Sequence, residues 1–127
     1  MNTEHIDLPD VLAEVTHAFQ RYEKALTGND IDVLDELFWH DERTVRLGAG
    51  ENLYGISEIR EFRAARPAAG LYRELRNTVI TTYGDSFAVC STEFTREGSD
   101  RIGRQQQSWV KLDGNWRIVA AQVSLMI

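Results

Sequence analysis

The stretch YRELRNTVITTYGDSFAVCSTEFTREGSDRIGRQQQSWVKLDGNWRIVAAQVS, Tyr72 to Ser124, decides the fold. It is rich in β-branched and aromatic residues and is cut by Gly84-Asp85, by Arg96 to Asp100 with Gly98 inside it, and by Asp113-Gly114. The cuts leave four β-rich segments, about Tyr72 to Tyr83, Ser86 to Thr95, Arg101 to Leu112 and Asn115 to Ser124. Connections this short make a meander in which each strand pairs with the next. Strand twist then coils so long a sheet into a trough.

Upstream the period is helical. Leu12, Val15, Phe19, Tyr22 and Leu26 form one stripe, with Pro9 near its start and Gly28 just past its end. Asn29 or Asp30 can cap a second, shorter helix carrying Ile31, Leu34, Leu37 and Phe38 and closing near Trp39. Thr44-Val45-Arg46-Leu47-Gly48 alternates as a short strand, and Gly48 to Gly55 reads as a loop. Ser57 can then cap a third helix with Ile59, Phe62 and Arg63, ended by Pro67. The reading is an α+β domain spanning residues 1–127, a cone in which three helices close a curved antiparallel sheet in the order α-α-β-α-β-β-β-β.

Composition narrows the function. Fourteen Lys and Arg against twenty Asp and Glu give a net charge of −6, so no field draws the chain to nucleic acid. No apolar run is long enough for a bilayer, and MNTEHIDLPD lacks the features of a signal peptide, so a soluble cytoplasmic protein without membrane partners is expected. The single cysteine, Cys90, lies in an apolar strand and reads as an inert buried thiol. His5, His17 and His40 lack metal-ligand spacing, and Gly48-Ala49-Gly50 lacks the third glycine of a dinucleotide loop. No metal and no cofactor are expected.

Two residues are out of place for a core. Tyr22 sits in the buried stripe, and its phenol must find either a backbone carbonyl or a ligand. Arg46 lies on one face of a short strand. If it points inward it requires a carboxylate or a bound anion, and if outward it is part of a solvated edge. An inward arginine beside a phenol would lower the tyrosine pKa from its unperturbed value of about 10. On the last two strands, Gln105, Gln107 and Trp109 share a face, as do Trp116, Ile118, Ala120, Gln122 and Ser124. Gln107 and Gln122 then either orient a polar ligand in the trough or belong to cross-strand glutamine pairs on its convex side.

The element order resembles the nuclear transport factor 2-like superfamily. A narrower likeness rests on Thr44-Val45-Arg46-Leu47-Gly48, Glu51-Asn52-Leu53-Tyr54-Gly55, Ile59, Phe62-Arg63, Arg66-Pro67, Gly103-Arg104-Gln105-x-Gln107-Ser108-Trp109-Val110 and Trp116-Arg117-Ile118-Val119-Ala120-Ala121. These resemble the AtzH-like family, small amidohydrolases that accompany a larger amidase in bacterial cyanuric acid catabolism, and the likeness runs from about Asp10 to Ile127. The resemblance implies a metal-independent decarboxylating hydrolysis of dicarboxyurea to allophanate, with Tyr22 and Arg46 as the catalytic pair. A small anionic substrate would then be held by Arg46, with Arg63 assisting at the rim and Gln107 and Gln122 orienting it. Wider relatives with histidine in the last strand differ from this chain, which has Gln122 there, and glutamine is no general base.

Two other functions stay open at this point. A ketosteroid isomerase-like proton transfer would need an inward carboxylate, Glu93 or Asp41. A noncatalytic binding module would need only a cavity. A homodimer is expected, because a curved sheet exposing a convex face with tryptophan and valine residues often pairs through it.

Overall fold

The computed structural model describes residues 1–127 and begins with one 3-10 turn, Thr3–His5. Helix α1 (Pro9–Thr27) starts on a proline, whose missing N–H costs nothing at that position, and buries Val11, Val15, Ala18, Phe19, Tyr22, Ala25 and Leu26. The chain reverses through Asn29, which takes a left-handed φ of 52°. Asp30 then caps helix α2 (Ile31–Leu37) by accepting from the Val33 N–H at 3.2 Å.

Strand β1 (Val45–Leu47) follows, and after it a strand β2 (Asn52–Tyr54) where a plain loop was expected. Three residues flanked by glycine are too few to show a period, yet they pair antiparallel with β1. Helix α3 (Ile56–Ala65) is not capped by Ser57. It begins directly after Gly55, whose φ of 87° turns the chain sharply, and the first-turn Glu58 accepts from the Tyr54 N–H at 3.0 Å.

Strands β3 (Glu74–Tyr83), β4 (Phe87–Thr95), β5 (Gly103–Leu112) and β6 (Asn115–Leu125) form the expected meander. The β5–β6 turn has positive φ at both Asp113 (50°) and Gly114 (80°), as a two-residue hairpin matched to strand twist requires. The full sheet runs β2-β1-β6-β5-β4-β3. It is mixed, because β1 lies parallel to β6 while the other pairs are antiparallel.

One irregularity in β6 changes the face of several residues. Ser108 pairs with Ala120 but Trp109 pairs with Ile118, so Val119 is an extra residue in a β-bulge. Trp116 and Ile118 face the core before the bulge, and Ala121 faces it afterwards. Gln122 is therefore exposed on the outer face, opposite Gln106, and the alternative of a convex-side glutamine pair holds for it.

Helices α1 and α2 cover the inner face around Phe38, Leu34, Val15, Trp109 and Ile118, all without solvent exposure. Burying side chains of this size stabilises by about 1.5–3 kcal/mol each. Glu14 fastens α1 to the sheet by accepting from Trp116 Nε1 at 2.9 Å and from Lys111 Nζ at 2.9 Å. Trp109 and Trp116 thus point inward, and the convex face is not tryptophan-rich. Asn77, Ser91, Glu93, Arg104, Gln106, Gln122 and Ser124 make it a polar groove instead. No helix is long and apolar enough to cross a membrane.

Candidate active site

A cavity of about 170 Å³ lies between α1, the end of α3 and the sheet. Helix α1 contributes Tyr22 and Leu26, and β1 with the turn after it contributes Arg46, Ala49 and Glu51. Phe62 and Arg66 come from α3 and its end, Leu71 and Arg73 from the approach to β3, Arg96 from just past β4, and Gln105 and Val123 from the sheet. Larger grooves of about 390 and 560 Å³ lie on the outer sheet face and beside α2. We place the site in the smaller cavity, because four guanidiniums and a phenol converge only there.

Tyr22 is buried, with its ring 6.3 Å from that of Phe38, and its hydroxyl opens on the cavity without a hydrogen-bond partner from the chain. The backbone carbonyl that would have made it an ordinary core tyrosine is not there. Arg46 points into the same cavity and donates from Nη1 to Glu51 Oε1 at 2.9 Å, with its guanidinium carbon 5.7 Å from the Phe62 ring centroid. No hydrogen bond joins Arg46 to Tyr22, and the two line the same cavity.

Arg66 reaches the cavity because Pro67 follows it. A residue before proline is driven out of the helical region, and Arg66 takes φ −72° and ψ 137° directly after the last turn of α3. Arg63, one turn earlier, faces the other way. It is buried against α2 in an ion pair with Asp35, its guanidinium 4.9 Å from the Phe38 ring centroid, and it does not line the cavity. The structure thus corrects the placement of Arg63 at the rim and gives that position to Arg66.

Arg73 is held by a fork of hydrogen bonds to Glu23, Nε to Oε2 at 2.9 Å and Nη2 to Oε1 at 2.7 Å. Its Nη2 also donates to Gln105 Oε1 at 2.9 Å. That contact fixes the amide of Gln105, since only its oxygen can accept, and leaves Nε2 without a partner. Gln107, two residues on, is used differently. It is deeply buried, accepts from Trp109 Nε1 at 3.1 Å, and does not line the cavity.

Arg73 and Arg96 both lie over the ring of Phe94, at 4.5 and 5.1 Å from its centroid. Burial pushes the Arg96 pKa down from its usual value, and repulsion from Arg73 adds to this. Arg66 is pushed the same way by burial and then by the charges of Arg46, Arg63 and Arg96. Arginine nevertheless stays protonated in proteins, so these are positive charges held close together at a cost. Arg66 Nε and Nη2 and Arg96 Nε are buried without acceptors. Set against the carboxylates of Glu51 and Glu23, the four cavity arginines leave two positive charges in excess.

The two carboxylates expected for an isomerase-like proton transfer do not line the cavity, whose one carboxylate, Glu51, is engaged by Arg46. Glu93 faces the outer groove, where it accepts from Asn77 and Arg76, and Asp41 is bound to Arg43 in the turn before β1. Cys90 is fully buried in apolar surroundings that push its thiol up to about 12, which keeps it protonated and inert. No group of three or more His, Cys, Asp or Glu side chains could hold a metal ion.

Comparison with known proteins agrees with this architecture. A crystal structure of a protein of unknown function from the DUF3225 family of Pectobacterium atrosepticum is 72% identical, with a TM-score of 0.99 over 100% of this chain and 99% of that one. A cystatin-like fold protein from Burkholderia xenovorans is 44% identical, with a TM-score of 0.92 over 95% of each chain. A nuclear transport factor 2-like protein from Pseudomonas putida, 14% identical, has a TM-score of 0.74 over 91% of this chain and 86% of that one, and shows the shared fold. No curated protein matches the chain. The AtzH-like family model matches residues 4–127, and the chain belongs to the AtzH-like family.

Proposed function

We propose that this protein is a small cofactor-independent decarboxylating amidohydrolase, converting dicarboxyurea or a closely related anionic urea to the monocarboxylated product. One observation carries the reading: in a chain of net charge −6, an excess of guanidinium charge is gathered around a buried phenol whose hydroxyl is free. Such a cavity attracts a small anion and puts a proton donor beside it.

In this reading Arg46 keeps its Nη1 on Glu51 and offers its remaining N–H groups to one substrate carboxylate. The bond between nitrogen and the departing carboxyl breaks with its electron pair left on nitrogen, and carbon dioxide leaves. Tyr22 gives that nitrogen a proton and recovers one from water. A dianion thus becomes a monoanion with uptake of one proton; counted with hydration of the carbon dioxide, the change is hydrolysis of a carbon–nitrogen bond. The surrounding arginines stabilise the charge that grows on nitrogen. The product is still an amide, so a separate, larger amidase is the partner expected to consume it.

The test is turnover of dicarboxyurea by Tyr22→Phe and Arg46→Ala. Loss of a positioned proton donor should lower kcat by about a hundredfold or more, while the phenylalanine preserves the ring packing. Folded variants that both keep wild-type activity would falsify the assignment.

A further inference from the structure

We infer that Arg96 and Gln105, bridged to the rest of the cavity by Arg66, form a second anion subsite that takes the end of the ligand remote from Arg46 and makes the site select dianions over monoanions. This rests on the reading of the cavity as an anion site.

The wall residues sort into two ends by their contacts. At one end Arg46 is bound to Glu51 and lies over Phe62. At the other, Phe94 carries both Arg73 and Arg96, and Arg73 in turn holds Gln105. Arg66 lines the same cavity, close enough to both Arg46 and Arg96 for their charges to add to burial in pushing its pKa down.

The two ends differ in what they still lack. Both Arg46 and Arg73 have a carboxylate of the chain, Glu51 and Glu23. Arg66 and Arg96 have none, and Arg66 Nε, Arg66 Nη2, Arg96 Nε and Gln105 Nε2 are buried donors without acceptors. A buried donor left unmade costs about 1–3 kcal/mol, and more when charged, so folding tolerates this set only against a large opposing gain. A bound carboxylate supplies what is missing: two oxygens with several lone pairs and one negative charge.

Gln105 sharpens the selectivity. With its oxygen committed to Arg73 it can only donate toward the cavity, so it favours an acceptor and rejects an ammonium or a neutral amide N–H. A monoanion seated at Arg46 leaves these donors unmet. A ligand with a second carboxylate meets them.

Calorimetric titration of the purified protein with malonate and with acetate tests this without any turnover. Wild type should bind malonate at least tenfold more tightly than acetate. Arg96→Met and Gln105→Leu should each weaken malonate at least tenfold and leave acetate within twofold, and Arg96→Lys, which keeps the charge but loses the planar fork, should fall between. Thermal melting shows that each variant is folded. Equal affinity of wild type for the two anions, or malonate binding by folded Arg96→Met and Gln105→Leu within twofold of wild type, overturns the subsite. An inactive Tyr22→Phe that still selects malonate keeps it, and a failed turnover assay leaves the binding result standing.

Discussion

Glu51 Oε1 accepts from Arg46 Nη1 at 2.9 Å, and the same carboxylate fills the space that a Cβ on Gly48 would take. Glu51 Oε2 also accepts from the Gly50 N–H at 3.2 Å, so the turn after β1 is closed around this one side chain. Glycine at 48 is needed here for room, because Glu51 folds back across its own turn. Gly48→Ala should push the carboxylate off Arg46, as Glu51→Ala removes it. Both should raise KM for the anionic substrate or lower kcat/KM by about tenfold, the order expected when one charge-assisted hydrogen bond is lost. Steady-state kinetics of the two variants decide it, and a Gly48→Ala enzyme with wild-type constants would mean that Glu51 does not hold Arg46 in place.

Phe94 and Gly103 are cross-strand partners, and a Cβ on Gly103 would overlap the Phe94 ring. That ring is almost fully buried and cannot swing away, and it is the shelf on which Arg73 and Arg96 rest. Gly103→Ala should therefore destabilise the fold by about 1–3 kcal/mol, the usual cost of overpacking, and should also weaken anion binding by disturbing both arginines. Urea unfolding measures the first effect and malonate titration the second. Unchanged stability would show that the ring has room this geometry denies it.

These two glycines show where reading the sequence stops. The stripe through Tyr22, a cap at Asn29 or Asp30 and the Asp113-Gly114 hairpin follow from local periodicity and turn chemistry, and the structure contains all three, with Asp30 as the cap. Gln122 does not follow, because the face of every residue after Val119 depends on a bulge that nothing in Ile118-Val119-Ala120 announces. Arg63 lies in the last turn of α3 and Arg66 just past its end, and only the proline after Arg66 separates a structural ion pair from a cavity residue. Arg73 and Arg96 sit just beyond strand ends, where alternation no longer assigns a face. Gln105 was on the correct face by period, but that it rather than Gln107 lines the cavity depends on how deep each lies.

The ion pair between Glu23 and Arg73 joins residues fifty positions apart, with the guanidinium side chain only 2% exposed. Removing one partner of such a pair leaves a buried charge. Glu23→Gln should cost about 3–5 kcal/mol for that reason. Replacing both by apolar residues of similar volume removes the charge as well, so Glu23→Leu with Arg73→Met should be more stable than Glu23→Gln. Chemical denaturation of the two proteins is the measurement. A double variant less stable than the single one would assign the pair a positive structural value that burial normally erases.

Asp41 accepts from the Arg43 backbone N–H at 2.8 Å, from Nε at 2.8 Å and from Nη2 at 3.0 Å. The side-chain bonds to Arg43 are the main cause, followed by the backbone bond, and together they hold the Asp41 carboxyl down from its ordinary 3.8 to about 2. A carboxyl whose pKa is lower in the folded state binds its proton more weakly there than in the unfolded chain. Its contribution to stability is therefore complete above the ordinary value and is lost as pH falls through about 2. The backbone makes the turn matter beyond one surface pair, since the Asp41 carbonyl accepts from Thr44 at 3.3 Å and Ile56 at 3.1 Å, tying β1 to the start of α3. The pair is open to solvent, so salt should weaken it and move the midpoint upward. Carboxyl-detected NMR titration should place the Asp41 midpoint near 2 at low ionic strength and return it toward 3.8 in Arg43→Ala. A midpoint in the ordinary range for the unaltered protein would show that Arg43 does not hold this turn.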